Sequence, residues 1–218
     1  MKRTFFRKNI AVFAVCFALL LCGTLFSGCT SEIGISLNKD GTIDVRFEGA
    51  SGVAFATLIR SAAGVEEGDV VFDTREIIAE LSKNSFSEVR AISKKGTDLI
   101  ITMKDKQQTT PLFTSGVLKV KGGKLSATLS ADRLLNFYKS SDEEIVSFLD
   151  MLLAPVFNDE VLSVVEYLDT IASFYGADAA KEIEESQFKI TLKDADGTSR
   201  VFTIPMTTLL TLNEVIEM

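Results

Sequence analysis

Four pairs of short segments alternate apolar and polar residues with period two, each pair joined by a brief glycine-containing connection. Residues 33–37 (IGISL) and 42–48 (TIDVRFE) flank Asn38-Lys39-Asp40-Gly41, and residues 86–93 (FSEVRAIS) and 97–104 (TDLIITMK) flank Lys94-Lys95-Gly96. Residues 115–121 (SGVLKVK) and 124–130 (KLSATLS) flank Gly122-Gly123, and residues 187–193 (QFKITLK) and 198–204 (TSRVFTI) flank Asp194-Ala195-Asp196-Gly197. Alternation buries one side of a strand and wets the other, and glycine supplies the positive φ that tight connections need, so the pattern predicts four β-hairpins. Half-buried strands of this kind belong to antiparallel sheets.

The period changes to that of a helix between and after the hairpins. Phe55, Leu58, Ile59 and Ala62 share one face of a helix predicted over 52–63, with Ser51 as its N-cap. Asp73-Thr74-Arg75-Glu76 has capping-box spacing ahead of Ile77, Ile78 and Leu81, and Ser141-Asp142-Glu143-Glu144 repeats it ahead of Ile145, Phe148, Leu149 and Leu152. Further helices are predicted over 131–139 and from Asn158 to Gly176, the latter with Val161, Val164, Val165, Leu168, Ile171 and Tyr175 at helical spacing. A short helix then leads to the last hairpin, and a final helix over about 206–217 places Leu209, Leu210 and Ile216 inside. Hairpins at both ends with helices between them predict an α+β fold, an antiparallel sheet of about four hairpins covered on one face by helices. No linker divides residues 33–218, so one domain is expected there, with 105–112 (DKQQTTPL) its clearest polar break. The first and last hairpins share a plan of strand, Gly turn, strand and helix, compatible with duplication or with independent origin.

The first 29 residues follow another logic. Lys2, Arg3, Arg7 and Lys8 precede an uncharged apolar run over 10–26, which ends at Ser27-Gly28-Cys29. A basic start, an apolar middle and small residues before a break make a signal peptide. Ser27, Gly28 and Cys29 resemble the lipobox of bacterial lipoproteins, although Phe26 stands where that family usually has Leu. The resemblance covers residues 1–29 only. It implies cleavage before Cys29, acyl chains on its sulfur and new amino group, and membrane or outer-membrane attachment outside the cytoplasm. An uncleaved signal anchor and soluble secretion are the alternatives. Residues 29–32 are then expected to be a short lipidated tether that keeps the domain close to the bilayer.

Composition narrows the chemistry. The 218 residues carry 23 Lys+Arg against 30 Asp+Glu, a formal net charge of −7, and no His. Removal of residues 1–28 takes four basic side chains and no acid, leaving an acidic body that phosphate backbones repel, so no nucleic-acid partner is expected. Absent histidine excludes imidazole bases and His-ligated metals. The three cysteines are Cys16, Cys22 and Cys29, so a processed chain keeps no free thiol and no disulfide.

The remaining constellations read as structure. Asn38, Asp40, Gly41, Ile43 and Asp44 imitate part of a calcium loop, but Ser36 and Phe47 occupy the two positions where its strongest ligands belong. Asp194, Asp196 and Gly197 fail likewise, with Leu192 at the first position, and no metal or other cofactor is expected. Ser36/Lys39 and Ser186/Lys189 have nucleophile–base spacing, yet residues three apart on a strand face opposite ways. Gly49-Ala50-Ser51-Gly52 ahead of a helix suits either an anion-binding nest or a plain strand-to-helix turn. Acidic clusters at Glu66/Glu67, Asp142–Glu144, Asp159/Glu160 and Glu182–Glu185 sit at helix starts or on polar faces. The apolar run 151–157 beside Pro155 offers Met151, Leu152 and Phe157 as a candidate ligand groove or partner contact. The expectation is a non-enzymatic, membrane-anchored binding or interaction domain with no catalytic residues. A carboxylate-dependent envelope enzyme and a carrier of an apolar ligand are the alternatives.

Overall fold

In a computed structural model of the chain, residues 30–50, 52–54, 74–93, 98–138 and 161–218 are described. The fold is α+β. Strands β1 (Thr30–Leu37), β2 (Ile43–Ala50), β3 (Ser87–Ser93), β4 (Asp98–Asp105), β7 (Gln187–Lys193) and β8 (Ser199–Pro205) make one sheet in the order β3-β4-β2-β1-β7-β8. Strands β5 (Leu118–Lys121), β6 (Lys124–Leu129) and β9 (Ile216–Glu217) make a smaller one. The helices among the described residues are α1 (Thr74–Lys83), α2 (Pro111–Thr114), α3 (Ala131–Tyr138), α4 (Val164–Tyr175), α5 (Ala177–Glu185) and α6 (Met206–Thr211).

Three of the four predicted hairpins lie in the large sheet and the fourth, β5–β6, stands apart in the small one. The sheet is also not wholly antiparallel, because β1 and β7 run parallel from Thr30↔Gln187 to Ser36↔Lys193. Parallel pairing joins strands distant in sequence without a turn between them, so alternation within each strand carries no sign of it. The pairing also draws Thr30 and Ser31 into the ladder. The strand therefore begins at Thr30, and the tether expected through residue 32 is reduced accordingly. Thr30, Ala50, Asp98, Gln187 and Pro205 lie at one end of the sheet, and the turns at 38–42 and 194–198 at the other.

Alternation decides what is buried. Ile33, Ile35 and Leu37 of β1, Ile43, Val45 and Phe47 of β2, Leu99, Ile101 and Met103 of β4, and Phe188, Ile190 and Leu192 of β7 all enter one core. Helices α1, α4, α5 and α6 contribute Ile77 and Leu81, Tyr167 and Ile171, Ile183, and Met206, Leu209 and Leu210 to it. Leu118, Leu125 and Leu129 bring in the small sheet, whose strand β6 contacts β1 and β7. Burying a branched or aromatic side chain contributes about 1.5–3 kcal/mol, so this layer supplies most of the driving force for folding.

Several local predictions change. Ser163, rather than Asn158, caps the described helix α4, its hydroxyl accepting from the Glu166 N–H while the Glu166 carboxylate accepts from the Ser163 N–H. The final helix stops at Thr211, because Leu212 turns left-handed (φ 37°), and Ile216–Glu217 becomes strand β9. Pairing with β6 explains the change: the Met218 N–H donates to Ala127 O at 2.8 Å and the Ala127 N–H donates back at 3.0 Å. The predicted helix over 52–63 lies outside the described residues beyond Ala54, as does the whole of the one begun at Ser141.

The polar break at 105–112 is organised around one carboxylate. Asp105 is 1% exposed and accepts from the backbone N–H of Gln107, Gln108 and Thr110 and from the Thr110 hydroxyl. Pro111 then starts the short α2, where its fixed φ suits a first helical position.

Candidate binding face

Among the described residues, helices cover one side of the large sheet and none packs on the other. The open side carries the polar half of each alternation, and cross-strand register turns those positions into rows. Across four strands the register reads Gly34↔Arg46↔Thr102↔Arg90, so two arginines stand on either side of one threonine. The neighbouring row places Ser36, Asp44 and Lys104 side by side. These residues and Glu88 line an open groove of about 480 Å³, whose floor is bare where Gly34 has no side chain.

A β-bulge shapes the outer wall. The register between β3 and β4 slips between Ser87 and Arg90, inserting one residue into β3. Glu88 takes up the slip in the left-handed region, at φ 54°. Such a conformation costs a non-glycine residue about 1–2 kcal/mol. It carries the Glu88 carboxylate between two lysines, Lys106 at 3.1 Å and Lys104 at 3.2 Å. Lys104 also reaches Asp44 at 3.7 Å, and Asp44 accepts from the Asn38 side-chain amide at 2.8 Å. Further along the face Arg46 pairs with Glu48 at 2.7 Å and Lys189 with Glu32 at 3.0 Å.

Two groups of this network are shifted away from neutral pH. Hydrogen bonds from Lys106 and then Lys104 hold the Glu88 carboxyl below its ordinary value of 4.5. The Glu88 hydrogen bond, followed by the Asp44 charge, raises Lys104 above 10.5. A general acid or base must exchange its proton near working pH, whereas these groups are driven away from it. The arrangement suits recognition by fixed charge, with Arg90 bearing no ion-pair partner among the described residues.

The residues singled out from sequence fall elsewhere. Cys29, Met151, Leu152 and Phe157 lie outside the described residues. The two calcium-like loops are matching turns: the Asp40 and Asp196 carboxylates accept from the Thr42 and Thr198 N–H groups at 3.0 and 2.8 Å. Ser186 donates to Glu182 O, and Lys189 is engaged with Glu32 on the open face, so that pair does not meet. At the glycine turn the nearest anion is a side chain of the same protein, and its hydrogen bond comes from beyond the turn. Glu182 of α5, 6% exposed, accepts from the Ala54 N–H at 3.1 Å, and a Cβ on Gly52 would collide with its carboxylate. Ser51 lies outside the described residues.

Sequence reasoning missed Arg46, Glu88, Arg90, Thr102 and Lys104, which come from three strands and meet only through register. Among the described residues no acidic or sulfur-bearing cluster has the makings of a metal site, and no helix is long and apolar enough to cross a membrane. No family model, curated protein or solved structure matches this chain.

Proposed function

We propose that this chain is a lipid-anchored, non-enzymatic envelope protein that binds a polar, charge-patterned partner through the open face of its large sheet, beside the membrane. The observation that carries the reading is the start of β1 at Thr30, the residue after Cys29. A lipidated Cys29 stands one Cα step, about 3.8 Å, from the edge of a rigid sheet. The Thr30 end of the sheet then faces the bilayer and the turns at 38–42 and 194–198 point away from it. Attachment comes from the acyl chains, at about 0.8 kcal/mol per buried methylene, because an acidic body gains nothing from anionic headgroups.

The open face supports a binding role on two counts. Its Glu88 carboxylate is held ionised by Lys106 and Lys104, and the left-handed backbone of that residue costs stability that a merely solvated surface would have no reason to retain. Anchoring is tested by replacing Cys29 with Ala and fractionating cells. The native chain is expected with the membranes and labelled by a fatty-acid precursor, and the variant in the soluble fraction without label. A variant that stays with the membranes contradicts the anchor.

A further inference from the structure

The two edges of the large sheet are built differently. At one edge, β3 is bulged, holds Glu88 at a left-handed φ and carries charged Glu88 and Arg90, all of which hinder an added strand. At the other edge, β8 has no bulge and no left-handed residue, and its one charged side chain, Arg200, lies on the core side and is tied to Asp194. Its register with β7 is unbroken from Gln187↔Pro205 to Lys193↔Ser199, and its sequence, SRVFTIP, contains no acid.

The phase of the ladder fixes which backbone groups look outward. The Asp194 N–H donates to Thr198 O and the Met206 N–H donates to Ser186 O, one at each end of the β7–β8 pair. Arg200, Phe202 and Ile204 therefore turn their backbone groups toward β7, and Ser199, Val201 and Thr203 turn theirs away. Nothing among the described residues pairs with that outer edge. The side chain of Val201 is also 55% exposed on the open face. Pro205, the next outward position, has no N–H and ends the edge.

We propose that β8 is a self-association edge that pairs antiparallel with β8 of a second copy about a two-fold axis through Val201. In that register Ser199 faces Thr203 of the second copy and the two Val201 residues face each other. Each of the three pairs exchanges two hydrogen bonds, about six in all. A second copy fits this edge better than an unrelated strand, given its exposed Val201 and its acid-free sequence. The register is self-complementary, as an isologous contact requires, and it opposes hydroxyl to hydroxyl and valine to valine. The half-buried Phe202 meets the aliphatic stem of the other Arg200. A chain of formal net charge −7 also approaches itself with least repulsion along an acid-free strand.

The test uses the full chain in density-matched non-ionic detergent, followed by sedimentation over a wide concentration range. One chain per micelle should give way to two as concentration rises, and at lower concentrations as salt screens the self-repulsion. Val201→Pro removes one outward N–H and leaves the β7 ladder intact, and should weaken association by about tenfold or more. An independent variant carries Val201→Cys with Cys16, Cys22 and Cys29 changed to Ser. Mild oxidation should join its copies, because residues in such a pair stand about 5.5 Å apart at Cα, within disulfide reach. Glu88→Cys in the same background should not join. A chain that stays single at every concentration, a Val201→Pro chain that associates like the native one, or joining through Glu88 in preference to Val201 would overturn the proposal. Recovery of β8 occupied by a different protein's strand would overturn it equally.

Discussion

Asp194 in the β7–β8 turn accepts a hydrogen bond at 2.8 Å from the backbone N–H of Leu125 in β6, so one side chain joins the large sheet to the small one. Arg200 completes the link, donating to the same carboxylate at 3.1 Å and to the Leu125 carbonyl. The Ala195 N–H donates to Gly123 O alongside, which seats the turn of one hairpin on the turn of the other. Asp194 is 5% exposed, so its removal leaves the Leu125 N–H without its acceptor and the partly exposed Arg200 guanidinium with the Leu125 carbonyl but no carboxylate. Asp194→Ala is expected to lower stability by about 2–4 kcal/mol in urea unfolding, and Asp194→Asn by less. A loss below about 0.5 kcal/mol would mean that the sheets are joined by apolar contact alone.

Asp105 tests the second buried carboxylate. Four donors within five residues converge on it, and none of them has another acceptor among the described residues. Asp105→Ala is expected to cost about 2–4 kcal/mol and to speed amide exchange at Gln107, Gln108 and Thr110. Asp105→Asn should retain part of the loss-free behaviour, since its carbonyl oxygen still accepts.

Gly52 and Glu182 should behave as one unit. Gly52→Ala drives a methyl into the Glu182 carboxylate and is expected to cost about 1–3 kcal/mol. Glu182→Ala relieves the collision and loses the acceptor for the Ala54 N–H. The double variant should therefore be more stable than the sum of the single losses indicates, by a measurable interaction energy in a double-mutant cycle.

Much of the fold could be read from the chain because its strands carry local signals. Gly122 and Gly123 both adopt positive φ, 58° and 75°, the geometry that a two-residue hairpin connection demands, and their sequence announces it. Alternation likewise identified which side of β1, β2 and β7 is buried. What the chain concealed was non-local. The parallel contact of β1 with β7 needs only that both strands be half-apolar, which many strands are. The repeated turns Asn38–Thr42 and Asp194–Thr198 have the same hydrogen bonds, yet Leu37 before the first is buried while Lys193 before the second is exposed. The two hairpins thus turn opposite faces to the core, a parity difference that a comparison of turn sequences passes over. The groove was hidden for a related reason: Arg46, Arg90 and Thr102 become neighbours only when three strands are set in register. Asp105 left a fainter trace, an aspartate five residues ahead of Thr110 in a polar loop.

The groove charges make a prediction about pH. Glu88 is lowered, so its contribution is complete above its ordinary value of 4.5 and is lost as pH falls through the lower folded value. Lys104 is raised, so its contribution is complete below 10.5 and is lost as pH rises through the higher folded value. Between those limits Glu88 and Lys104 both keep their charges. Carboxyl carbon NMR should show Glu88 titrating below 4.5, and Glu88→Gln should bring Lys104 part of the way back toward 10.5, with Asp44 holding the remainder. A Glu88 that titrates at or above 4.5 would contradict the lysine clasp.

The bulge permits a separate test of strain. Glycine adopts φ 54° without penalty, whereas alanine pays for its Cβ. Glu88→Gly and Glu88→Ala both delete the carboxylate, so their difference isolates the backbone. Glu88→Gly is expected to be the more stable by about 1 kcal/mol in chemical denaturation. Equal stabilities would mean that the left-handed conformation is not retained.

The account depends most on the sulfur of Cys29, because the orientation of the sheet and the placing of its open face beside the bilayer both follow from lipid there. Mass spectrometry of the membrane-extracted protein tests it directly. The account predicts an N-terminal peptide that begins at Cys29 and carries a diacylglyceryl group on sulfur. A peptide that begins at Met1, or a Cys29 recovered with a free thiol, contradicts it.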